Sequence, residues 1–174
     1  MSSSEGTPAG AGRRAFVAGV ASALVVAGCG FQLRGQANYA FASVYVNAPA
    51  YPQFAAELRR SLAGAGSAML AEKADAAQVT VDVVSVLDDK QVLSLSPGGR
   101  VQEYALAKAV VFRVRDRDGR EWMPQDEIVV RRAYSYDDTE RLAREIQEQR
   151  LQREMQSDAV QQIVRRLQAA RPPA

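Results

Sequence analysis

Three aspartate pairs and one thiol are the groups in this chain whose types and spacing could support covalent or acid–base chemistry. Asp88 and Asp89, Asp116 and Asp118, and Asp137 and Asp138 each place two carboxylates within reach of a shared proton or a hydrolytic water. Nothing stands beside them to complete a machine. The chain has no histidine and a single cysteine. That excludes Ser-His-Asp and Cys-His nucleophiles, histidine-containing zinc sites and any internal disulfide. Aspartate side chains bond their own backbone two residues on, so all three pairs read as turn or helix-cap residues. An enzyme would have to rely on carboxylates, lysine or serine alone, so the composition favours a binding or scaffolding protein, and no metal or cofactor is expected.

The thiol has a different chemistry. Cys29 follows an apolar run over residues 17–27, broken only by Gly19 and Ser22, which ends in Val26-Ala27-Gly28. Arg13-Arg14 precede the run. Small residues before a cleavage point lie extended in a peptidase groove, and the run is short for a membrane span. The order basic, apolar, small, Cys resembles the lipobox of bacterial lipoproteins. That resemblance implies that residues 1–28 are a signal peptide and that Cys29 becomes the first mature residue, carrying S-diacylglycerol and an N-acyl chain. A buried core cysteine is the alternative fate of such a residue. In lipoproteins of this type a residue other than Asp after the cysteine lets the protein be carried on to the outer membrane, so Gly30 implies an outer-membrane protein facing the periplasm. Each buried methylene contributes about 0.8 kcal/mol, so two or three acyl chains anchor stably. The arginine pair fits either an ordinary secretory signal or twin-arginine export.

The net charge is +2, and the segment before Cys29 holds Arg13, Arg14 and Glu5, so the mature chain keeps 2 − 1 = +1. No global basic field exists, and nucleic acid is not a partner. What remains suits one domain. Residues 29–42 read as a lipidated start and tether, and residues 43–171 as one α+β domain. Val44 and Val46 mark a short strand stopped by Pro49 and Pro52. Phe54, Leu58 and Leu62 lie four apart on a helix over about residues 52–63. Val79, Val81 and Val83 alternate with polar residues in a strand over residues 78–87, with a bulge after Val83-Val84. A turn over residues 94–100 opens a strand whose Tyr104, Leu106, Val110, Phe112 and Val114 share one face, Lys108 being the odd member. Asp118-Gly119 marks a hairpin into a strand over about residues 127–136, with Pro124 at its start. Asp137 and Glu140 then cap a long helix, whose stripe is Leu142, Ile146, Leu151, Met155, Ala159, Ile163 and Leu167. The expected fold is a β-α-β-β-β-α sandwich, two helices on one face of a four-stranded, mostly antiparallel sheet.

Four stretches in order along this chain resemble one family. Cys29-Gly30-Phe31-Gln32-Leu33-Arg34-Gly35 is similar to the mature start of the LptE lipoproteins. Gly99-Arg100-Val101-Gln102-Glu103-Tyr104-Ala105-Leu106 resembles their glycine-led turn into a strand. Tyr134-Ser135-Tyr136-Asp137-Asp138 with Leu142-Ala143-Arg144-Glu145 resembles their aromatic strand end and Leu-Ala-Lys-Glu helix start. Arg153-Glu154-Met155 and Ile163-Val164-Arg165-Arg166-Leu167 resemble the end of that helix.

The resemblance implies a non-catalytic plug, one per LptD β-barrel, that assists barrel assembly and binds lipopolysaccharide on its way to the outer leaflet. It also implies basic residues that contact lipopolysaccharide. Arg144 stands at the family's lysine position, where a guanidinium keeps the charge and adds a planar fork suited to phosphate. Arg100 is the only cation of the turn and sits a few positions later than the family's. The competing reading is a periplasm-facing lipoprotein scaffold that binds another envelope protein without touching lipopolysaccharide.

Overall fold

A computed structural model of the chain describes residues 38–66, 68–135 and 141–173. The chain partitions into units Met1–Gly35 and Gln36–Ala174, and every described residue belongs to the second. Cys29, Asp137 and Asp138 lie outside the described residues, as do Tyr136 and Glu140.

Strand β1, Ser43–Asn47, buries Val44 and Val46 completely and turns its other side chains outward. Helix α1, Pro52–Ala65, starts on a proline, whose missing N–H is no loss in a first turn. It buries Phe54, Ala55, Leu58 and Leu62, as their spacing requires. Strand β2, Met69–Leu70, and a 3₁₀ turn at Ala74–Ala76 lead into β3, Val79–Leu95. Strands β4, Val101–Asp116, and β5, Glu121–Ser135, follow, and α2, Arg141–Ala169, closes the domain.

The sheet has five strands in the order β2-β1-β3-β4-β5. Strand β1 is parallel to both β2 and β3, whereas β3, β4 and β5 form an antiparallel meander. The expected four-stranded, mostly antiparallel sheet is thus a five-stranded mixed one, with the two helices as foreseen. Two-residue β2 has no periodic signal, and residue patterns do not encode pairing direction. The bulge falls where expected, between Val83 and Ser85. The meander is much longer than its apolar pattern, about 50 Å along β4. Residues 88 and 89 lie inside β3 rather than in a turn, and β5 begins before Pro124.

The core is shared by both helices and one face of the sheet. It gathers Leu106, Val110, Phe112 and Val114 of β4 with Met155, Ala159, Ile163 and Leu167 of α2. Tyr39 and Phe41, expected in the tether, are buried in it; their rings stack at 5.0 Å, and Phe41 meets Trp122 edge-on at 6.0 Å. Ile146, expected on the buried stripe of α2, is 58% exposed. At that level of α2 it is Glu148, two residues on, that meets the sheet, through Lys90 and Tyr134.

Two ends follow from this layout. Strand β1 accompanies β3 only at residues 79–82, so one end is five strands wide and helix-covered. At the other, the distal end, three strands continue to the turn between β3 and β4.

Candidate functional site

The distal turn is built by its own backbone. The Ser96 N–H donates to the Arg100 carbonyl at 2.7 Å, and the Gly99 N–H donates to the Ser96 carbonyl at 2.9 Å. The Ser96 hydroxyl accepts from the Arg100 N–H at 3.1 Å. Gly99 has φ +76°, a left-handed conformation that a side chain would strain. Arg100 is exposed, and among the described residues its guanidinium has no hydrogen bond or ion pair. It is a free cation on a narrow tip, available to an anionic ligand.

Arg144 is differently placed. It is half-buried, and its Nη1 donates to the Ser135 carbonyl at 2.8 Å. Two more arginines act alike along β5. Arg132 Nη1 donates to the Arg131 carbonyl at 2.9 Å, and Arg166 Nη1 to the Glu127 carbonyl at 3.2 Å. Glu127, Arg131 and Ser135 are four apart, so in a pleated strand these carbonyls point the same way, to the side of β5 away from β4. Arg132 and Arg166 also bond Asp158 and Asp126. Arg144 thus joins α2 to the sheet edge, and the structure does not bring it into one cluster with Arg100.

Between α2 and the distal meander lies a polar cluster that sequence reasoning missed. Lys90 Nζ is 2.5 Å from Glu148 Oε2, and the Tyr134 hydroxyl donates to the same oxygen at 2.6 Å. The ammonium also sits 4.3 Å from the centre of the Tyr104 ring, which stacks on Tyr134 at 5.8 Å. Burial alone would raise the Glu148 carboxyl; the bonds from Lys90 and Tyr134, with the Lys90 charge, outweigh it and hold the pKa below the ordinary value. The Lys90 pKa is raised: burial opposes, but the bond and charge of Glu148 prevail. Lys108, the odd member of the β4 face, is almost wholly buried and paired with Asp88. Its signal was in the sequence: a lysine on an apolar face calls for a carboxylate on the neighbouring strand.

On the opposite face of the sheet, Asp82 is nearly buried and holds three strands together. It accepts from Asn47 Nδ2 at 2.8 Å, and it is reached by Arg115 Nη2 at 2.6 Å and Arg113 Nε at 3.3 Å. Asp116 and Asp118 sit in the β4–β5 hairpin as expected, bonding Arg120. No group of three or more His, Cys, Asp or Glu side chains that could hold a metal occurs among the described residues. Nor is any helix among them long and apolar enough to cross a membrane.

Comparison with known proteins gives this geometry its context. The family model for LptE, lipopolysaccharide assembly, matches residues 41–167. The solution structure of an uncharacterized lipoprotein B from Nitrosomonas europaea is 35% identical, over 80% of this chain and 91% of that one, with a TM-score of 0.71. The fold recurs in a minor lipoprotein from Acinetobacter baumannii, at 23% identity, 78% and 100% coverage and a TM-score of 0.63. It recurs also in the rare lipoprotein B from Shewanella oneidensis, at 22% identity, 73% and 94% coverage and a TM-score of 0.61. No curated protein matches the chain. The family match spans the domain from the buried Phe41 of the core to Leu167 near the end of the last helix, and on that ground the chain belongs to the LptE family of lipopolysaccharide-assembly proteins.

Proposed function

We propose that this chain is a non-catalytic lipoprotein of the outer membrane that plugs and helps assemble the LptD β-barrel, one copy per barrel, and binds lipopolysaccharide on its way to the outer leaflet. The observation that carries the reading is the LptE family match over residues 41–167, and the lipobox at Cys29 agrees with it. Signal cleavage before Cys29 and acylation of its thiol and new amino group tie the domain to the periplasmic side of that membrane.

Lipopolysaccharide presents phosphates, and charge-assisted bonds to a guanidinium suit them. Arg100 supports this role best, as an exposed cation on a narrow turn. Arg144 contributes positive charge nearer the helix start, while one arm of its guanidinium remains with Ser135.

Two measurements test the reading. A tagged lipoprotein extracted in detergent should co-purify one large β-barrel at one to one. Purified domain starting at Gln36 should capture lipopolysaccharide, and Arg100→Asp should weaken capture relative to Arg60→Asp, an exposed arginine of α1. Arg144→Asp should weaken it too, with folding checked by circular dichroism. Capture should fall with added salt, since charges are screened over about 8 Å at physiological ionic strength. Equal capture by all variants would place the ligand elsewhere. Absence of a barrel would favour a scaffold for another envelope protein.

A further inference from the structure

The two long edges of the distal meander are finished differently. On β5 the outward carbonyls of Glu127, Arg131 and Ser135 each receive an arginine, so side chains cap that edge at every second outward residue. On β3 the neighbouring strand β1 ends at Asn47, opposite Asp82. Beyond Val83, no described strand lies on that side. Residues 84–95 therefore carry a row of backbone N–H and C=O groups with one side unpaired, the pattern that accepts an added strand. Their side chains agree. Five of the seven large apolar residues exposed in the described structure are on this stretch: Val84, Leu87, Val92, Leu93 and Leu95, each between 48% and 62% exposed.

From this contrast we propose that residues 84–95 are a docking edge for an extended segment of a second protein, which adds a strand beside β3. The charge at the middle of the edge defines the segment further. Lys90 is turned to the helix side and held by Glu148, whereas Asp89 is exposed and, among the described residues, meets only Gln91, at 2.8 Å. A matching segment is apolar at both ends and carries lysine or arginine opposite Asp89. A second copy of this chain fits poorly. Antiparallel pairing about a dyad at the middle of the stretch sets Asp88, Asp89 or Lys90 against its own counterpart, like charge on like. The chain just before β1 fits poorly too. Strand β1 runs parallel to β3, so its preceding residues leave from the end far from residue 84. A lipid chain would cover the apolar side chains but leave the backbone groups unpaired.

The inference goes beyond the proposed role and holds whichever envelope protein supplies the strand. It is tested with the full lipoprotein in its membrane, bearing a photo-crosslinking residue at Leu87, Gln91 or Leu93, with Val129 and Ala133 on the capped edge as controls. Adducts should form from the three β3 positions, map to one short segment of one protein, and shift along it in step with the position used. In the purified complex, amide exchange over residues 84–95 should slow at least about tenfold relative to the free protein, with β5 unchanged. Asp89→Arg should lower adduct yield about threefold to fivefold, and Leu93→Lys should do so independently. The proposal is overturned if adducts fall on a second copy, on this chain's own first residues or on lipid. It is equally overturned if adducts scatter over the partner or if exchange at residues 84–95 is unchanged in the complex.

Discussion

Replacing Asp82 by asparagine should destabilise the domain by about 2 kcal/mol at neutral pH, and the loss should disappear in acid. The Asp82 side chain is 8% exposed and binds β1 through Asn47 and β4 through Arg113 and Arg115. A hydrogen bond to a charged group contributes about 1.5–3 kcal/mol when its partners are dry. Here the arginines are 38% and 36% exposed, so water recovers part of what either loses. That discount takes the two ionic bonds to about 2 kcal/mol together. For a domain of this size such a loss lowers the melting temperature by about 8 °C. Burial by itself would raise the Asp82 pKa, but the bonds from Asn47 and Arg115, the Arg115 charge and the bond from Arg113 bring it below the ordinary value. A depressed carboxylate contributes stability that is fully present above its unfolded pKa, about 3.9, and is lost as pH falls through the folded one. The assay is urea unfolding of the domain starting at Gln36, wild type beside Asp82→Asn, from about pH 7 down to about pH 3. General acid effects act on both proteins, so the gap between them isolates Asp82. A gap under about 0.5 kcal/mol at neutral pH would refute the reasoning, because it lies within the range of ordinary surface changes. So would a gap that fails to narrow in acid.

Cys29→Ser should leave an unprocessed precursor, seen as a larger band that takes up no labelled fatty acid; mature-sized protein would sink the lipobox reading. Phe41→Ala should cost about 3 kcal/mol in cooperative unfolding, because the ring is 3% exposed between Tyr39 and Trp122 and its loss opens a cavity. A change below about 1 kcal/mol would mean that the core starts later in the chain. Glu148→Gln removes the negative charge that Lys90 and Tyr134 share and leaves a neutral amide in its place. Its global cost should stay under about 1 kcal/mol, since Lys90 and Glu148 are 39% and 29% exposed. Amide exchange should speed up in the first turns of α2 and stay the same beyond Met155. Uniform exchange along the helix would show that the cluster pins nothing.

The elements whose buried faces keep one period were legible in the sequence. Leu58 and Leu62 of α1, Val79, Val81 and Val83 of β3, and Ile163 and Leu167 of α2 all stand where their spacing put them. The bulge after Val83 was legible because one extra residue changes which side chains face inward. What escaped was decided between elements. Asp88 and Asp89 resemble a turn because aspartate is rare in strands. In the fold, the partner that makes Asp88 acceptable there is Lys108, twenty residues away on β4. The same pairing explains a lysine on the apolar face of β4, so two anomalies in the sequence were one ion pair in the structure. The burial of Tyr39 and Phe41 was hidden for a similar reason, since their aromatic neighbour Trp122 lies beyond the β4–β5 hairpin.

The candidate site shows the same division more sharply. Sequence resemblance carries a residue's charge from one family member to another, but it does not say what holds that charge. The resemblance sets Arg144 at a family lysine position more closely than it sets Arg100 at any, yet part of the Arg144 guanidinium is committed to Ser135. An arginine can serve there in a way that lysine does so less readily, because its planar fork offers several donors at fixed angles, and one arm can bind backbone while another faces outward. Arg100 has no such tie, and the Gly99 turn beside it keeps bulk away. A lysine at residue 144 would keep the charge while giving up the fork. Arg144→Lys should therefore bind lipopolysaccharide nearly as well as the wild type if charge alone matters. It should loosen the first turns of α2 if the bond to Ser135 matters. Capture assays and amide exchange on that one variant separate the two roles, and a variant that changes neither would show that residue 144 serves the ligand and the helix no better than any exposed cation.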